Sequence, residues 1–554
     1  MRIEINSGPM LNAYPDSMGG TLADIVAFLE NPELKDVFSS FYILPSLFHT
    51  DLDRGFSVID YTLNECLASK EDLHKLEMLG MDLKLDFILN HASVLSRQFQ
   101  DMIKHGEQSP YKDFFINWND FWKEHGTMTE EGYIQPNPEM LEKMFFRKPG
   151  LPFLMVGFPN GKNIPYWNTF YQEVNYPVLD AQDIMGVTDM QYAAASETAT
   201  FINKGIKDGL ALKEIFSVHE SDLEKTAITD LLESRRKYLG QMDLNIKSEM
   251  VWEFYEETLR TLSGYGAKIV RLDAFAYAHK EPGSKNFLNQ PGTWNLLEKV
   301  QKIADKYNLS LLPEIHATYG EKIYELLSEK GYITYDFFLP GLIIDALESG
   351  KGNYLAEWAE ELHGKNIKTI NMLGCHDGIP LLDLKGLLTE ERIKQLIEIV
   401  VNRGGYVKNL HGSKDMYYQV NATYYSALGE DDRKLLLARA IQMFMPGKPQ
   451  IWYLDLFAGK NDYDAVARAG TGGHKDINRT NLGINQIKMD MELPIVKEQL
   501  SLIKMRNNYP AFGFDAKLKV ENKGTKIMFV WEKNGFTAKL DADLKTSTYQ
   551  IVLK

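Results

Sequence analysis

Cysteine is nearly absent: Cys66 and Cys375 are the only two in 554 residues, too few for a disulfide framework or a structural zinc cluster. No run of 18 apolar residues occurs, which excludes a membrane-spanning helix. The start, MRIEINSGPMLNAYPDS, has no basic stretch leading into an apolar one, so no signal peptide is expected and a cytoplasmic enzyme is. Positive charge is in deficit. The 61 Lys and Arg against 76 Asp and Glu leave a net charge of −15, the wrong sign for a general binder of nucleic acid or anionic membrane. Gly-rich nucleotide loops and internal repeats are missing too. With 44% hydrophobic residues there is ample material for a core, which rules out disorder as a class. The length suggests roughly three to four domains, or one large barrel with insertions.

Short apolar runs recur, each followed by a loop and a helical pattern. They are MLNAY (10–14), FYIL (41–44), LKLDFIL (83–89), AKIVRL (267–272), LSLLPE (309–314), YITYDFF (332–338), KTINML (368–373) and PQIWYL (449–454). Alternating strand and helix implies a parallel sheet. Eight units suggest an α/β fold built on a (β/α)₈ TIM barrel, with catalytic residues at the C-terminal strand ends; an open doubly wound sheet is the alternative. The gap between Leu89 and Ala267 is far too long for one connection and must hold an inserted domain. Beyond 514 the pattern alternates in period two (LKV, KIMFVWEK, FTAKL, YQIVLK), as in a small antiparallel β domain. The expected segmentation is barrel 1–91, inserted domain 92–250, barrel 251–377, a second lobe 378–445, barrel end 446–513 and β domain 514–554.

Four strand ends carry polar residues that packing does not require: Asp86, Asn90 and His91; Arg271 and Asp273; Glu314 and His316; His376 and Asp377. Singly, an acid closing a strand is an ordinary helix cap or loop residue. Jointly, at four barrel tops, they converge on one face. Three carboxylates in one cleft suit glycosyl transfer, which needs an acid for the leaving oxygen and a carboxylate for the oxocarbenium-like centre. Arg271, two residues before Asp273, points to the same side and is expected to hold Asp273 ionised. Glu314 is then the acid, with a raised pKa. Cys375 beside His376 reads as packing rather than a nucleophile. Asp86, Asn90 and His91 make a poor calcium cage.

DFILNH, RLDAFAYA, LPEIH and HDGI, with DRGFSVIDY, resemble the signature segments of the α-amylase superfamily, glycoside hydrolase family 13. With GEQSPYKDFFINWNDFW, TYDFFLPGLI, YYQVNATYYSALG, FAGKND and KDINRTNL they are similar to its sucrose phosphorylase branch. The resemblance implies Asp273 as nucleophile, Glu314 as acid/base and Asp377 as transition-state stabiliser. It also implies that Asp53, His91, Arg271, His376 and Arg479 hold the donor glucosyl unit and that Phe56, Tyr277, His316, Phe170 and Gln241 line the cleft, with Gln419 a further substrate-binding residue. Lys148, in FFRKPGLPF, stands where the branch carries an arginine that meets phosphate. Arg403, Lys408, His411 and Lys414 are further cations expected near the acceptor, unless they are an ordinary solvated loop. The branch works without metal or cofactor.

The expected reaction is double displacement with retention, in which a sugar and inorganic phosphate are the small-molecule partners. Sucrose is the default donor, with a phosphorylated sucrose or a glucosylated polyol as competitors. A hydrolysing or transglucosylating α-glucosidase is the alternative enzyme, and an idle barrel serving as a binding subunit the alternative from another class. A homodimer is compatible with this reading. The branch joins a WNTF-like segment almost directly to a QIDLD-like one. Here roughly 70 residues separate Phe170 from Gln241. This insert, 171–239, is expected to be helical, with helices over MQYAAASETATFINKGI and DLLESRRKYL, and either to reshape the acceptor pocket or to decorate the surface.

Overall fold

The computed structural model describes residues 5–554 apart from 148–149, 209, 211, 216–221, 410–416 and 470–472. Eight strands form its centre: β1 (Met10–Ala13), β2 (Ser40–Ile43), β3 (Asp82–Ile88), β4 (Ala267–Asp273), β5 (Ser310–Pro313), β6 (Thr334–Asp336), β7 (Thr369–Met372) and β8 (Lys448–Trp452). Each coincides with one of the eight apolar runs. Their order is β5-β4-β3-β2-β1-β8-β7-β6, and the pairings are parallel. This is the circular sequence of a (β/α)₈ barrel with its seam between β5 and β6. β5 ends on Pro313, which has no N–H to give a neighbouring strand.

The barrel interior is unusually polar. Tyr42, Lys84 and Asp86 are buried among its walls together with Arg271, Gln450 and Asn12. The run LKLDFIL alternates as a strand with one polar face requires: Lys84 and Asp86 face in, and Leu83, Leu85 and Phe87 pack on the helices. Register places Arg271 opposite Asp86 and Tyr42 opposite Lys84, so these side chains meet in layers.

Between β3 and β4 the chain builds the lid. Strand His91–Ser93 pairs with Lys237–Asp243, which pairs antiparallel with Gln172–Asn175. The insert rises from this hairpin stem, with Gln172 opposite Gly240 and Asn175 opposite Lys237. Entry and exit are therefore adjacent, which lets a long insertion close at little entropic cost. Helices Tyr192–Lys207 and Asp222–Ser234 bury Ile184, Ala195, Ile202, Ile228 and Leu232 in a core of their own. The second expected helix ends earlier than its charge pattern suggested. Arg235 and Arg236 follow its last turn, and Lys237 to Leu239 begin the strand instead. Tertiary pairing with Gln172–Asn175 overrides helical propensity there. Arg236 lies over the Tyr238 ring at 4.7 Å rather than on a solvated helix face.

After β7 come helix Glu390–Asn402 and the hairpin Tyr406–Asn409/Tyr417–Asn421, whose Gln419 lines the cleft, and helix Asp432–Phe444 returns to the barrel wall. Four antiparallel strands, Lys517–Lys523, Lys526–Lys533, Phe536–Asp543 and Thr548–Leu553, close the chain. Trp531 Nε1 donates to Phe444 O at 2.8 Å and ties that sheet to the barrel. Among the described residues no helix is long and apolar enough to cross a membrane.

Candidate active site

Arg271 organises the base of the cleft. Its Nη1 donates to Asp86 Oδ1 at 2.5 Å and to Asp273 Oδ1 at 2.9 Å, and its Nη2 meets Glu314 Oε1 at 2.6 Å. The Tyr42 hydroxyl donates to Asp86 at 2.8 Å from below. Asp273 and Glu314 directly follow the register pair Leu272–Pro313 on adjacent strands. Both carboxylates meet the two ends of one guanidinium, which brings the pair together as retaining glycosidases require.

Asp377 belongs to the same cleft from β7. It accepts from Lys475 Nζ at 2.7 Å and lies 3.1 Å from His376 Nε2 and 3.9 Å from Arg479 Nη2. Asp53 meets Arg479 Nη1 at 3.3 Å and Lys475 Nζ at 3.5 Å. Arg479 Nε also donates to the His376 carbonyl at 2.9 Å, which fixes the loop carrying Asp377. Asp53 and Arg54 adopt left-handed backbones before Gly55, whose φ of +120° suits glycine. A Cβ there would lie 2.4 Å from the Ser46 nitrogen.

Phe56 stacks on His376 (4.9 Å, 9°). Its carbonyl accepts from Gln241 Nε2 at 2.9 Å and lies 3.0 Å from His91 Nε2. Phe170 packs on His91 at 5.0 Å and on Tyr277 at 5.3 Å, and the buried Gln419 lines the cleft beside Glu314, His316 and Asp377. The structure thus gathers Asp273, Glu314, Asp377, Asp53, Phe56, His91, Phe170, Gln241, Arg271, Tyr277, His316, His376, Gln419 and Arg479 around one cleft. Lys148, His411 and Lys414 lie outside the described residues, as does the side chain of Lys408. Arg403 turns away, bonding the Ala427 carbonyl and Glu348.

The charge states correct one expectation. Burial pushes the Asp273 carboxyl well above the carboxylate range despite Arg271, with Glu314, Asp86 and Asp377 adding to the rise. For Glu314, burial is outweighed by Arg271 and His316, and its pKa falls far below the usual value. The shifts thus run opposite to the expected ones, with Glu314 lowered by the guanidinium it meets at 2.6 Å. The guanidinium reaches across to the next strand, and spacing along β4 alone could not reveal that. Burial raises Asp377 as well, but His376, Lys475 and Arg479 overcome it and keep it ionised. The Cys375 thiol is pushed up to about 12, mainly by burial, which leaves it protonated and unreactive.

Four side chains that the motifs did not single out belong here. Lys475 bridges Asp377 and Asp53 from the short 3-10 helix Gly473–Asn478 after β8. Arg147, the neighbour of Lys148, donates to the Tyr277 hydroxyl at 2.9 Å and lies 5.2 Å over the Phe170 ring. Lys84 is buried in the barrel, with its Nζ on Gln450 Oε1 at 2.7 Å and 3.7 Å over Tyr42. Lys280, within RLDAFAYAHK, donates to Asp243 Oδ2 at 2.7 Å, to Asn90 Oδ1 at 3.0 Å and to the Tyr277 carbonyl. Its ammonium thus sits among the oxygens of Asp243, Asn90 and Tyr277. His91 and Asp86 turn to other partners, and among the described residues no group of three His, Cys, Asp or Glu could hold a metal ion.

No family model matches the chain. Among curated proteins it is 48% identical, over an alignment of 561 residues, to sucrose 6(F)-phosphate phosphorylase of Ilumatobacter coccineus, covering 100% of this chain and 96% of the relative. It is 31% identical to sucrose phosphorylase of Streptococcus mutans, covering 98% of this chain and 96% of that one. The solved structure of sucrose 6F-phosphate phosphorylase from Thermoanaerobacter thermosaccharolyticum superposes with a TM-score of 0.80 at 31% identity, covering 100% of this chain and 96% of that one. With this cleft and these relatives, the chain belongs to the sucrose phosphorylase branch of the α-amylase superfamily.

Proposed function

We propose that the chain is a retaining α-glucoside phosphorylase whose donor is sucrose phosphorylated on the fructosyl unit. It converts that donor and inorganic phosphate to α-glucose 1-phosphate and fructose 6-phosphate. Asp273 attacks the anomeric carbon, Glu314 protonates the leaving oxygen, and a β-glucosyl ester forms on Asp273. Phosphate then attacks the same carbon, Glu314 takes its proton, and α-configured product leaves. For the first step Asp273 is ionised beside the Arg271 guanidinium and Glu314 carries the proton it gives to the leaving oxygen. Asp377 grips sugar hydroxyls and stabilises the oxocarbenium-like carbon. Asp53, Arg479 and Lys475 close the far end of the glucosyl site, and Phe56 gives it an apolar floor.

The observation that carries the chemistry is the single guanidinium shared by Asp273 and Glu314. The phosphorylated donor is favoured by Arg147, a cation held over the Phe170 ring beside the acceptor side, and by the 48% identity to a phosphorylase named for that donor. A cytoplasmic setting belongs to the same reading, since the exposed Cys66 thiol would stay reduced there. The test is to incubate the enzyme with sucrose or sucrose 6F-phosphate, with and without phosphate, and to assay glucose 1-phosphate. Phosphate-dependent release, at least tenfold more efficient from the phosphorylated donor, is expected. Preference for sucrose would overturn the donor, and phosphate-independent glucose release would overturn the phosphorylase.

A further inference from the structure

We propose that Asp383 is a positioning residue that fixes His316 as an imidazolium beside Glu314, giving an anionic acceptor a standing positive charge to meet. The acceptor's identity rests on the phosphorylase reading above; the charge on His316 does not.

Asp383 lies in the short turn Leu382–Leu384, six residues beyond Asp377 and outside the motif that carries it. Its side chain is 7% exposed, and its Oδ2 sits 3.0 Å from His316 Nδ1. Among the described residues no other side chain bonds it. On the opposite edge of the ring, His316 Nε2 lies 3.5 Å from Glu314 Oε1. Both ring nitrogens thus face carboxylate oxygens, which only accept hydrogen bonds. A neutral imidazole has one donor and would turn a lone pair on one of them, whereas the imidazolium turns an N–H toward each. A buried carboxylate without a countercharge is costly, so Asp383 and the ring stabilise each other's charge.

The ring is also held in place. Phe337 stacks on it at 4.0 Å and 21°. The turn carrying Asp383 is docked through Gly320 N, which donates to Lys385 O at 3.1 Å. Gly386, at φ +95°, lets the two turns touch: a Cβ there would come 2.8 Å from the Gly320 nitrogen. Among the described residues, the charged groups facing the pair include Asp383 from this turn, Glu314 from His316's own segment, Glu321, which faces Asp383 from the neighbouring turn, and Arg271 from β4, which meets the same Glu314 oxygen at 2.6 Å. Burial works against protonation, but the two carboxylates push the His316 pKa up to about 10. Arg271, Lys475 and Arg479 are paired with the acids of the glucosyl site. His316 adds a positive charge to the cleft on the side of the acid/base.

The experiment is a ring-carbon NMR titration of labelled His316, assigned with His316→Gln, in the wild type and in Asp383→Asn. Alongside it, the KM for phosphate is measured at pH 6 and pH 8. The wild-type ring should titrate above about pH 9, and the variant's should move toward the ordinary value of about 6.5. The variant's phosphate KM should exceed the wild-type value about tenfold at pH 8 and by no more than twofold at pH 6, where the ring gains its proton unaided. A wild-type ring titrating near 6.5 overturns the proposal even if the variant does not fold. A KM deficit equal at both pH values reduces Asp383 to a structural part and overturns it as well. If the wild type releases no glucose 1-phosphate, the phosphorylase reading falls while the titration still decides the charge on His316.

Discussion

Lys280→Met is the sharpest probe of how the lid is fastened to the barrel. The ammonium is 1% exposed and bonds Asp243 Oδ2, Asn90 Oδ1 and the Tyr277 carbonyl, joining a lid strand to the ends of β3 and β4. Methionine fills similar volume, so the perturbation is electrostatic. It leaves Asp243, itself fully buried, without its cation. Removing one partner of a buried pair costs about 3–5 kcal/mol. Asp243 keeps donors from Thr169 N, Thr169 Oγ1 and Asn90 Nδ2 at 2.8, 2.6 and 3.0 Å, which places the loss near the lower end, about 3 kcal/mol. Urea unfolding followed by tryptophan fluorescence reads it, because Lys280 lies 5.6 Å from the Trp167 ring. Asp243→Asn should cost a similar amount, and the double variant no more than either single one. A Lys280→Met loss under about 1 kcal/mol, or strictly additive losses, would refute the reasoning.

Arg147→Ala should lower kcat/KM for sucrose 6F-phosphate about 10- to 100-fold, as expected for a lost hydrogen bond to a charged group, with little change on sucrose; steady-state kinetics on both donors checks this. Asp455 is fully buried and its carboxyl is pushed up to about 6 by burial. Since its folded pKa lies above the unfolded one, the folded state holds the proton longer, and stability from this group falls as pH rises from about 4 to 6. Asp455→Asn should therefore gain about 3 kcal/mol relative to wild type between pH 4 and pH 7 in chemical denaturation, less whatever its bond from Gly374 N contributes. Replacing 176–236 by a two-residue turn keeps the Gln172–Asn175/Lys237–Gly240 stem and should yield a folded enzyme with altered acceptor preference in a transglucosylation panel. An unchanged preference would reduce the insert to decoration.

The barrel was legible because each strand is a short apolar run bounded by polar punctuation, and Asp273, Glu314 and Asp377 because each stands where such a run ends. What escaped needs distances. Lys475 reaches Asp377 from a short 3-10 helix with no strand to announce it. Arg147 is brought to the cleft only by its contacts with Tyr277 and the Phe170 ring, which spacing does not show. Asp383 sits within a leucine-rich turn, LLDL, that reads as packing. Lys84 looks like a surface lysine until the alternation of LKLDFIL is set inside a barrel. That Arg271 reaches Glu314 on the next strand as well as Asp273 is carried by no linear pattern. Helical patterning found the insert's helices but overran into Lys237–Leu239, where pairing with Gln172–Asn175 decides the conformation.

The most direct test of the double-displacement account is to trap its intermediate. Glu314→Gln, which cannot serve as base for the second step, is incubated with α-glucosyl fluoride, whose leaving group needs no acid, then digested and examined by tandem mass spectrometry. A glucosyl ester on Asp273 in the peptide spanning β4 is the predicted result. An adduct on another residue, or none while fluoride is still released and inverted sugar appears, would contradict it.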